Sequence, residues 1–524
     1  MFKRLLISRQ KEGLPIVGGA ALVAIILLLL CGMVGIMLVK GMQHFWPTPL
    51  YEVSYKDELG EQQQIYATLL SRDFTTTGGQ KRWLFNQARL YQFSDQQHLL
   101  EEEQILSMRP LPELIDIQLR SGNRLFARLV GLNDGKTPLP LAQLPTQLEM
   151  VSGEVAAISD LERGRLAAIH QQIAQYNRRD VEDEAPARVK LEQEFATLMA
   201  ALEARRQTLS QLRLLLVFDS GEHHQLPLAD VEKYLQINQQ GELQKFATFM
   251  SHIWEFVSDT PKRANSAGGV FPALFGTVVM VLLMTVIVTP LGVMAAIYLN
   301  EYAPSNSVTS LIRIGVNNLA GVPSIVYGVF GLGFFVYQVG GNIDKLFFSE
   351  HLPAPTFGAP GIFWAALTMA MLTLPVVIVA TEEGLRRVPN SLRQGSYALG
   401  ATQFETLWRT VIPIASPGIM TGVILAIARG AGEVAPLLLV GAVKFAPTLP
   451  VDMEFPYLHL DRQFMHLGVL IYDGAFHSNS IGHGSSMMFA SCLLLLLVVL
   501  SLNIIAVVVR AKLRRQYQSM AGQG

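Results

Sequence analysis

The sequence predicts a mainly α, polytopic membrane protein: six transmembrane helices, with a water-exposed α+β domain between the first and second. Three observations carry this. Half of the 524 residues are hydrophobic and only 16% are charged, with a mean hydropathy of +0.32, whereas soluble domains carry roughly 25% charge. The deficit is uneven, because residues 42–265 hold 53 of the 83 Asp, Glu, Lys and Arg. Outside that block lie six stretches apolar enough for the ~20-residue helix that a bilayer core requires. A net charge of −1 without a basic stripe excludes a nucleic-acid binder, and the apolar content excludes a disordered chain or a single soluble enzyme. Cys31 and Cys492 both lie in apolar runs, so neither a disulfide framework nor a thiolate metal cage is on offer.

Residues 1–41 read as a short basic head (Lys3, Arg4, Arg9, Lys11) and an anchor helix over 14–39. The run is too long for a secretory signal, and no small-x-small cleavage site follows it. Five further spans are expected at 270–299, 314–339, 362–380, 412–443 and 487–509. The tail carries Arg510, Lys512, Arg514 and Arg515 without an acid, and the 381–411 loop carries Arg386, Arg387, Arg393 and Arg409. Basic segments stay cytoplasmic, so both termini and that loop are expected inside. Segments 42–265, 340–361 and 444–486 are then outside.

In the outer domain, "PLYEVSYK", "QIYATLL" and "LIDIQLRSGNRLFARL" alternate as strands, the last being two strands about Ser121-Gly122-Asn123. The period then changes. Leu191, Phe195, Leu198, Leu202, Leu209 and Leu212 follow 3-4 spacing, broken only by Arg205, matched by a shorter seam of Leu166, Ile169, Ile173 and Tyr176. This predicts an antiparallel coiled-coil-like hairpin over about 154–214, its legs linked around Pro186. A β-hairpin at "LLLVFDSGEHHQLPL" follows. His223 and His224 are adjacent in a strand or turn and point apart, which suits solvent better than a metal. Glu101, Glu102 and Glu103 read as a helix surface.

Charges inside a span are costly and mark functional candidates. Arg429 and Glu433 lie in "LAIARGAGEVAPLLLVGAV", within a run that as a straight helix would be about 48 Å long against a ~30 Å core. It must tilt or break, most cheaply at Gly430, Gly432 or Pro436; Pro290 and Pro323 are further hinge candidates. On a continuous helix Arg429 and Glu433 share a face. They form either an internal ion pair or a guanidinium facing an anion path with the glutamate holding it, and the two readings are compatible. The inward loop is amphipathic and predicts two short helices linked at Gly400 and followed by Pro413.

The stretch 391–413 resembles the cytoplasmic loop of ABC-importer permeases. A triad, Gln394-Gly395-Ser396, stands where that family has Glu-Ala-Ala, with Gly400, Ile412 and Pro413 following in place and Thr410 where isoleucine is usual. "TPLGVMAAIYLNEYA", "GVPSIVYGVFG" and "AIARGAGEVAPLLL" narrow the resemblance, over about 266–512, to phosphate-importer permeases of the PstA type. It implies a five-helix permease core behind one extra anchor, and residues 381–413 as the ATPase-coupling loop. It implies a second permease (PstC type), a cytoplasmic ATPase dimer (PstB type) using ATP and Mg, and a periplasmic phosphate-binding protein (PstS type), in the bacterial inner membrane with residues 42–265 periplasmic and 513–524 a cytoplasmic tail. It places Arg429 and Glu433 in the substrate path, with Val434 where threonine is common. The chain has no Gly-x-x-x-x-Gly-Lys-Ser/Thr loop, so ATP hydrolysis is assigned to a partner and no cofactor to this chain. A permease for sulfate or molybdate, and an adaptor or sensor built on residues 42–265, are the competing readings.

Overall fold

The computed structural model describes all residues except 1, 58–59, 76–80, 90–95, 136, 179–184, 263–266, 352, 454, 478–482 and 522–524. The central part of the expected link between the helical legs lies outside the described residues. The chain divides into two compact units: Trp46–His252, and Met1–Phe45 with Ile253–Gly524.

The Trp46–His252 unit contains two antiparallel sheets. In the first the strand order is Gln96–Glu101, Lys81–Gln87, Gln62–Thr75, Leu50–Lys56, Ile105–Pro110. In the second it is His223–Pro227, Arg213–Val217, Arg124–Asn133, Leu114–Leu119, Val231–Leu235. The turn at Ser121-Gly122-Asn123 needs glycine, since Gly122 has φ +85°. The glutamates 101–103 are not on a helix face: Glu101 ends a strand, where it pairs with Arg82 at 2.8 Å, and Glu102–Gln104 is a single 3-10 turn. Three residues between two paired strands have no room for more.

The helical arm is an insertion in the second sheet, because the strands flanking it, Arg124–Asn133 and Arg213–Val217, pair directly with Arg128 opposite Val217. It begins ten residues earlier than expected, as Leu144–Leu161, a π turn at Glu162–Leu166, Ala167–Arg178 and the returning Pro186–Leu209. The early start has a cause: Leu144 and Val151 are buried against the sheet and root the arm in its core. Farther out Ile158, Leu166 and Leu202 meet with Phe195 and Leu198 beside them, flanked by an Arg165–Glu194 pair at 2.6 Å.

Among its described residues the second unit holds six helices long and apolar enough to cross a membrane: Gly18–Gln43, Phe271–Tyr302, Ser324–Phe347, Ile362–Arg386, Gln403–Gly432 and Met487–Lys512. The fourth is central, with 67% of its apolar window buried, against 0% for the first and sixth. Water offers no driving force between helices in lipid, so close backbone approach must do the packing. Glycines supply it. A Cβ on Gly384 would lie 3.0 Å from the Cα of Gly418 on the fifth span, and one on Gly292 of the second span 2.6 Å from Val377.

Three expectations about this half are corrected, and one segment has a structure the sequence reading left open. The stretch 314–339 is not one span: an amphipathic helix Ser307–Leu319 precedes a turn, and the span starts only at Ser324, because Pro323 cannot continue a helix and is extended at φ −55°, ψ 134°. The second of the two short inner helices is instead the beginning of the fifth span, so Pro413 lies within Gln403–Gly432 rather than after a helix. Pro290 does not break its helix, which runs through it from Phe271 to Ile297; one missing donor leaves the rest of the ladder intact. Segment 444–486 is not a simple outer loop. Phe464 and Leu467 are fully buried, Phe464 within the core of the second and fourth spans, and the Leu467 N–H donates to Thr277 Oγ1 at 2.9 Å.

His466 caps the short helix Leu467–Phe476, its Nδ1 accepting from the Gly468 N–H at 3.1 Å. Burial pushes its pKa down to about 4, and an accepting Nδ1 requires the neutral ring. Its folded value lies below the unfolded ~6.5, so its contribution is complete above pH ~6.5 and is lost as pH falls toward 4, where the unfolded chain binds the extra proton. The thermal stability of the solubilised chain is expected to fall as pH drops through that window. His466→Asn, which retains an acceptor at the cap, should remove the dependence; an unchanged pH profile in that variant would refute the assignment.

Candidate translocation pathway and coupling surface

The fifth span ends in the last turn that contains Arg429, Gly430 and Gly432. Gly430 packs so closely on the second span that a Cβ would lie 2.5 Å from Met284 Sδ. Beyond Gly432 the chain becomes extended, Glu433 having φ −85°, ψ 129°, and the short helix Leu437–Val440 begins after Pro436. Pro436 is locked in place by Gly328 of the third span, whose Cβ would lie 2.7 Å from its Cα. The expected break therefore falls between Gly432 and Pro436, and it separates the two charges in backbone conformation: Arg429 is helical and Glu433 is not.

Arg429 Nε nevertheless stands 3.9 Å from Glu433 Oε1, with side chains 35% and 28% exposed. No hydrogen bond joins them among the described residues. A half-exposed pair at this separation is worth at most about 1 kcal/mol. The guanidinium thus keeps its donors available, while the carboxylate holds it loosely in the break. Tyr327 of the third span lies within its electrostatic reach and donates its own hydroxyl to the Leu319 carbonyl at 2.8 Å. Nearer the inner loop a cleft of about 380 Å³ is lined by Asn317, Pro375, Glu383, Arg387 and Thr421 among others. Arg429 does not line it.

The 381–411 loop, expected to couple to an ATPase, forms a helix Asn390–Ala398 carrying Gln394, Gly395 and Ser396, then turns at Gly400, whose φ of +84° is the left-handed conformation that glycine favours at a helix end. Gln394 and Gly395 are exposed, and a Cβ on Gly395 would meet nothing within 4 Å. Ser396 instead faces the fifth span, its Oγ 2.8 Å from Thr406 Oγ1. The surface around them is apolar: Leu392, Tyr397, Leu399, Phe404 and Trp408 are all exposed, with Phe404 and Trp408 stacked at 6.4 Å.

One pair was not legible in the motif. Arg393 reaches Glu301, at the end of the second span, with Nη1–Oε2 at 3.1 Å and Nη2–Oε1 at 3.0 Å, and also donates to the Leu385 carbonyl of the fourth span at 2.8 Å. Gln403 donates to the Glu301 carbonyl at 2.9 Å. The short loop helix is thereby fastened to three spans. The side chains of Arg393 and Glu301 are only 17% and 8% exposed, so the pair is a fixed strut rather than a surface ion pair.

Residues 288–515 match the model of the binding-protein-dependent transport system inner membrane component. A phosphate transport system permease protein PstA 1 of Mycobacterium tuberculosis is 36% identical over 265 residues, covering 51% of this chain and 78% of that protein. The chain belongs to the PstA family of permeases. The PstA of Yersinia pestis is 35% identical, covering 49% of this chain and 77% of its own, and that of Haemophilus influenzae 32%, covering 48% and 78%. This PstA-family chain is accordingly a multi-pass inner-membrane permease subunit. The Trp46–His252 unit lies wholly outside the residues matched by the family model.

Proposed function

We propose that this chain is one permease subunit of an ATP-driven importer of inorganic phosphate, forming half of the path by alternating access. The observation that carries the substrate class is the guanidinium of Arg429, held only by a 3.9 Å contact to Glu433 among the described residues, at the helix break that ends the fifth span, together with relatives whose names state phosphate transport. A planar five-donor fork suits a tetrahedral oxyanion. Its loose hold on Glu433 suits transit, since a path must release its ion as well as bind it. Asn317 and Thr421 offer polar groups in the cleft nearer the loop.

The basic loop and termini argue for both ends in the cytoplasm and the Trp46–His252 unit in the periplasm. ATP and Mg belong to a cytoplasmic ATPase dimer of the PstB type, which the apolar surface at Leu392, Tyr397, Leu399, Phe404 and Trp408 fits as a docking face. Gln394 and Gly395 would lie in that contact. A PstC-type permease and a PstS-type periplasmic binding protein complete the assembly. Uptake of labelled phosphate and sulfate, compared in cells expressing the whole system with and without this chain, tests the reading. Chain-dependent phosphate uptake is expected; dependence of sulfate uptake alone would replace phosphate with another oxyanion.

A further inference from the structure

The cleft on the loop side of Arg429 is continuous with it along one helix face. Gly418, Thr421 and Leu425 line the cleft from the fifth span, and Arg429 follows Leu425 by four residues in the same helix, Ile412–Gly432. At 100° per residue these four lie within an arc of about 80°. Arg429 therefore stands one turn, about 6 Å along the axis, beyond the end of the cleft. Leu425, half exposed, is the side chain between them. Glu383 and Arg387, at the end of the fourth span, line the other end. The cleft thus runs from the 381–411 loop toward Arg429. Its volume of about 380 Å³, against the ~30 Å³ that one water occupies, leaves room for an anion with its waters.

The remaining wall is Asn317, on the helix Ser307–Leu319, and Ala320 just past its end. Arg313 of this helix donates to the Leu299 carbonyl at 2.6 Å, and Val316 packs with Ala296 and Ile378. The matched steps, 313 with 299 and 316 with 296, show that the helix climbs antiparallel to the second span, back from its end at Tyr302. Asn317 is carried to that depth. The following turn ends against the packed core, where Val322 meets the Met280 and Met284 cluster.

The two uncharged polar side chains of the cleft differ in what they offer. Thr421 spends its hydroxyl proton on the Pro417 carbonyl at 2.7 Å, which leaves lone pairs toward the cleft and nothing to hold an anion. No hydrogen bond to the Asn317 amide occurs among the described residues, and that amide carries two N–H donors. An uncharged donor holds an oxyanion less firmly than a guanidinium does. Weaker binding beyond Arg429 suits release, since a path must let its ion leave.

We propose that this cleft carries the anion onward from Arg429, and that Asn317 is its binding residue, donating its amide N–H groups to a tetrahedral oxyanion that has passed Leu425. The inference rests on the anion path proposed at Arg429.

Cysteine chemistry tests it in the assembled transporter. With Cys31 and Cys492 changed to serine, Asn317→Cys is reconstituted into vesicles whose bath faces the 381–411 loop, and is treated with a charged methanethiosulfonate reagent. Asn317 is exposed, so the substitution leaves the packing intact. The cysteine is expected to react, and saturating phosphate is expected to slow the reaction several-fold. Reaction that no oxyanion slows would make the cleft a water-filled dead end and overturn the proposal. Labelling by an uncharged maleimide alone, or by neither reagent, would show lipid or protein in the cleft and overturn it equally. Protection by sulfate and not by phosphate would uphold Asn317 as an anion site while removing phosphate from the reading on which it rests. Uptake supplies a second readout. Asn317→Asp keeps the shape but adds a negative charge, and is expected to lower phosphate uptake several-fold below Asn317→Ala. Equal losses in the two variants would make Asn317 a packing residue and overturn its assignment.

Discussion

Arg429→Ala is expected to lower phosphate uptake at least about 100-fold while the transporter still assembles, since a positioned cation facing a travelling anion is worth about 3 kcal/mol of barrier. Little else in the chain should change. The side chain makes only a 3.9 Å contact with Glu433 and is partly exposed, so its removal leaves no cavity in the packed core of Met280, Met284 and Met369. Arg429→Lys keeps the charge but loses the planar fork, and should retain uptake at an intermediate level, about tenfold down. Glu433→Gln should preserve passage better than Arg429→Ala, because the glutamate only restrains the cation. Uptake by co-purified, correctly assembled complexes in vesicles is the measurement. Unimpaired transport by the alanine variant would show that phosphate does not pass this residue.

The second large effect is expected at the Glu301–Arg393 strut. If the 381–411 loop couples to an ATPase as proposed, its motion reaches the spans through the connections of the loop helix, which among the described residues include the two-pronged pair to the second span, the Leu385 carbonyl of the fourth, and Ser396 with Thr406 of the fifth. Glu301→Gln keeps size and shape but removes the charge, leaving Arg393 mostly buried without its counter-ion. Removing one partner of a buried pair costs about 3–5 kcal/mol, here concentrated where the loop is fastened. The expected result is uncoupling: the ratio of phosphate moved to ATP hydrolysed falls about tenfold or more in assembled vesicles, while hydrolysis persists. If uptake and hydrolysis decline in equal proportion, the pair stabilises the fold and does not transmit motion.

Much of the architecture was legible because membrane spans and alternating strands are local patterns. The six apolar runs, the paired strands about Gly122, the Gly400 turn and the weakness between Gly430 and Pro436 all follow from residues within one or two turns of each other. Misreadings arose where a distant contact overrode the local pattern. The topology places residues 444–486 outside, without a structure of their own, yet Phe464 and Leu467 are buried and the Leu467 N–H donates to Thr277, 190 positions earlier. The run 314–339 read as one span by hydropathy, yet Pro323 divides it. The helical arm starts at Leu144 because Leu144 and Val151 find the sheet, which no window of ten residues could reveal.

The sequence by itself determined that six stretches are apolar enough for a bilayer, and that the fifth would break near Arg429 between Gly430 and Pro436; these follow from transfer energies and backbone chemistry that act residue by residue. Only the tertiary structure decided that Glu433 sits beyond the end of the helix yet 3.9 Å from Arg429, and that Arg393 closes on Glu301. The first depends on where the helix ends and the backbone turns extended, and the second joins residues 92 positions apart, so neither can be read from local composition.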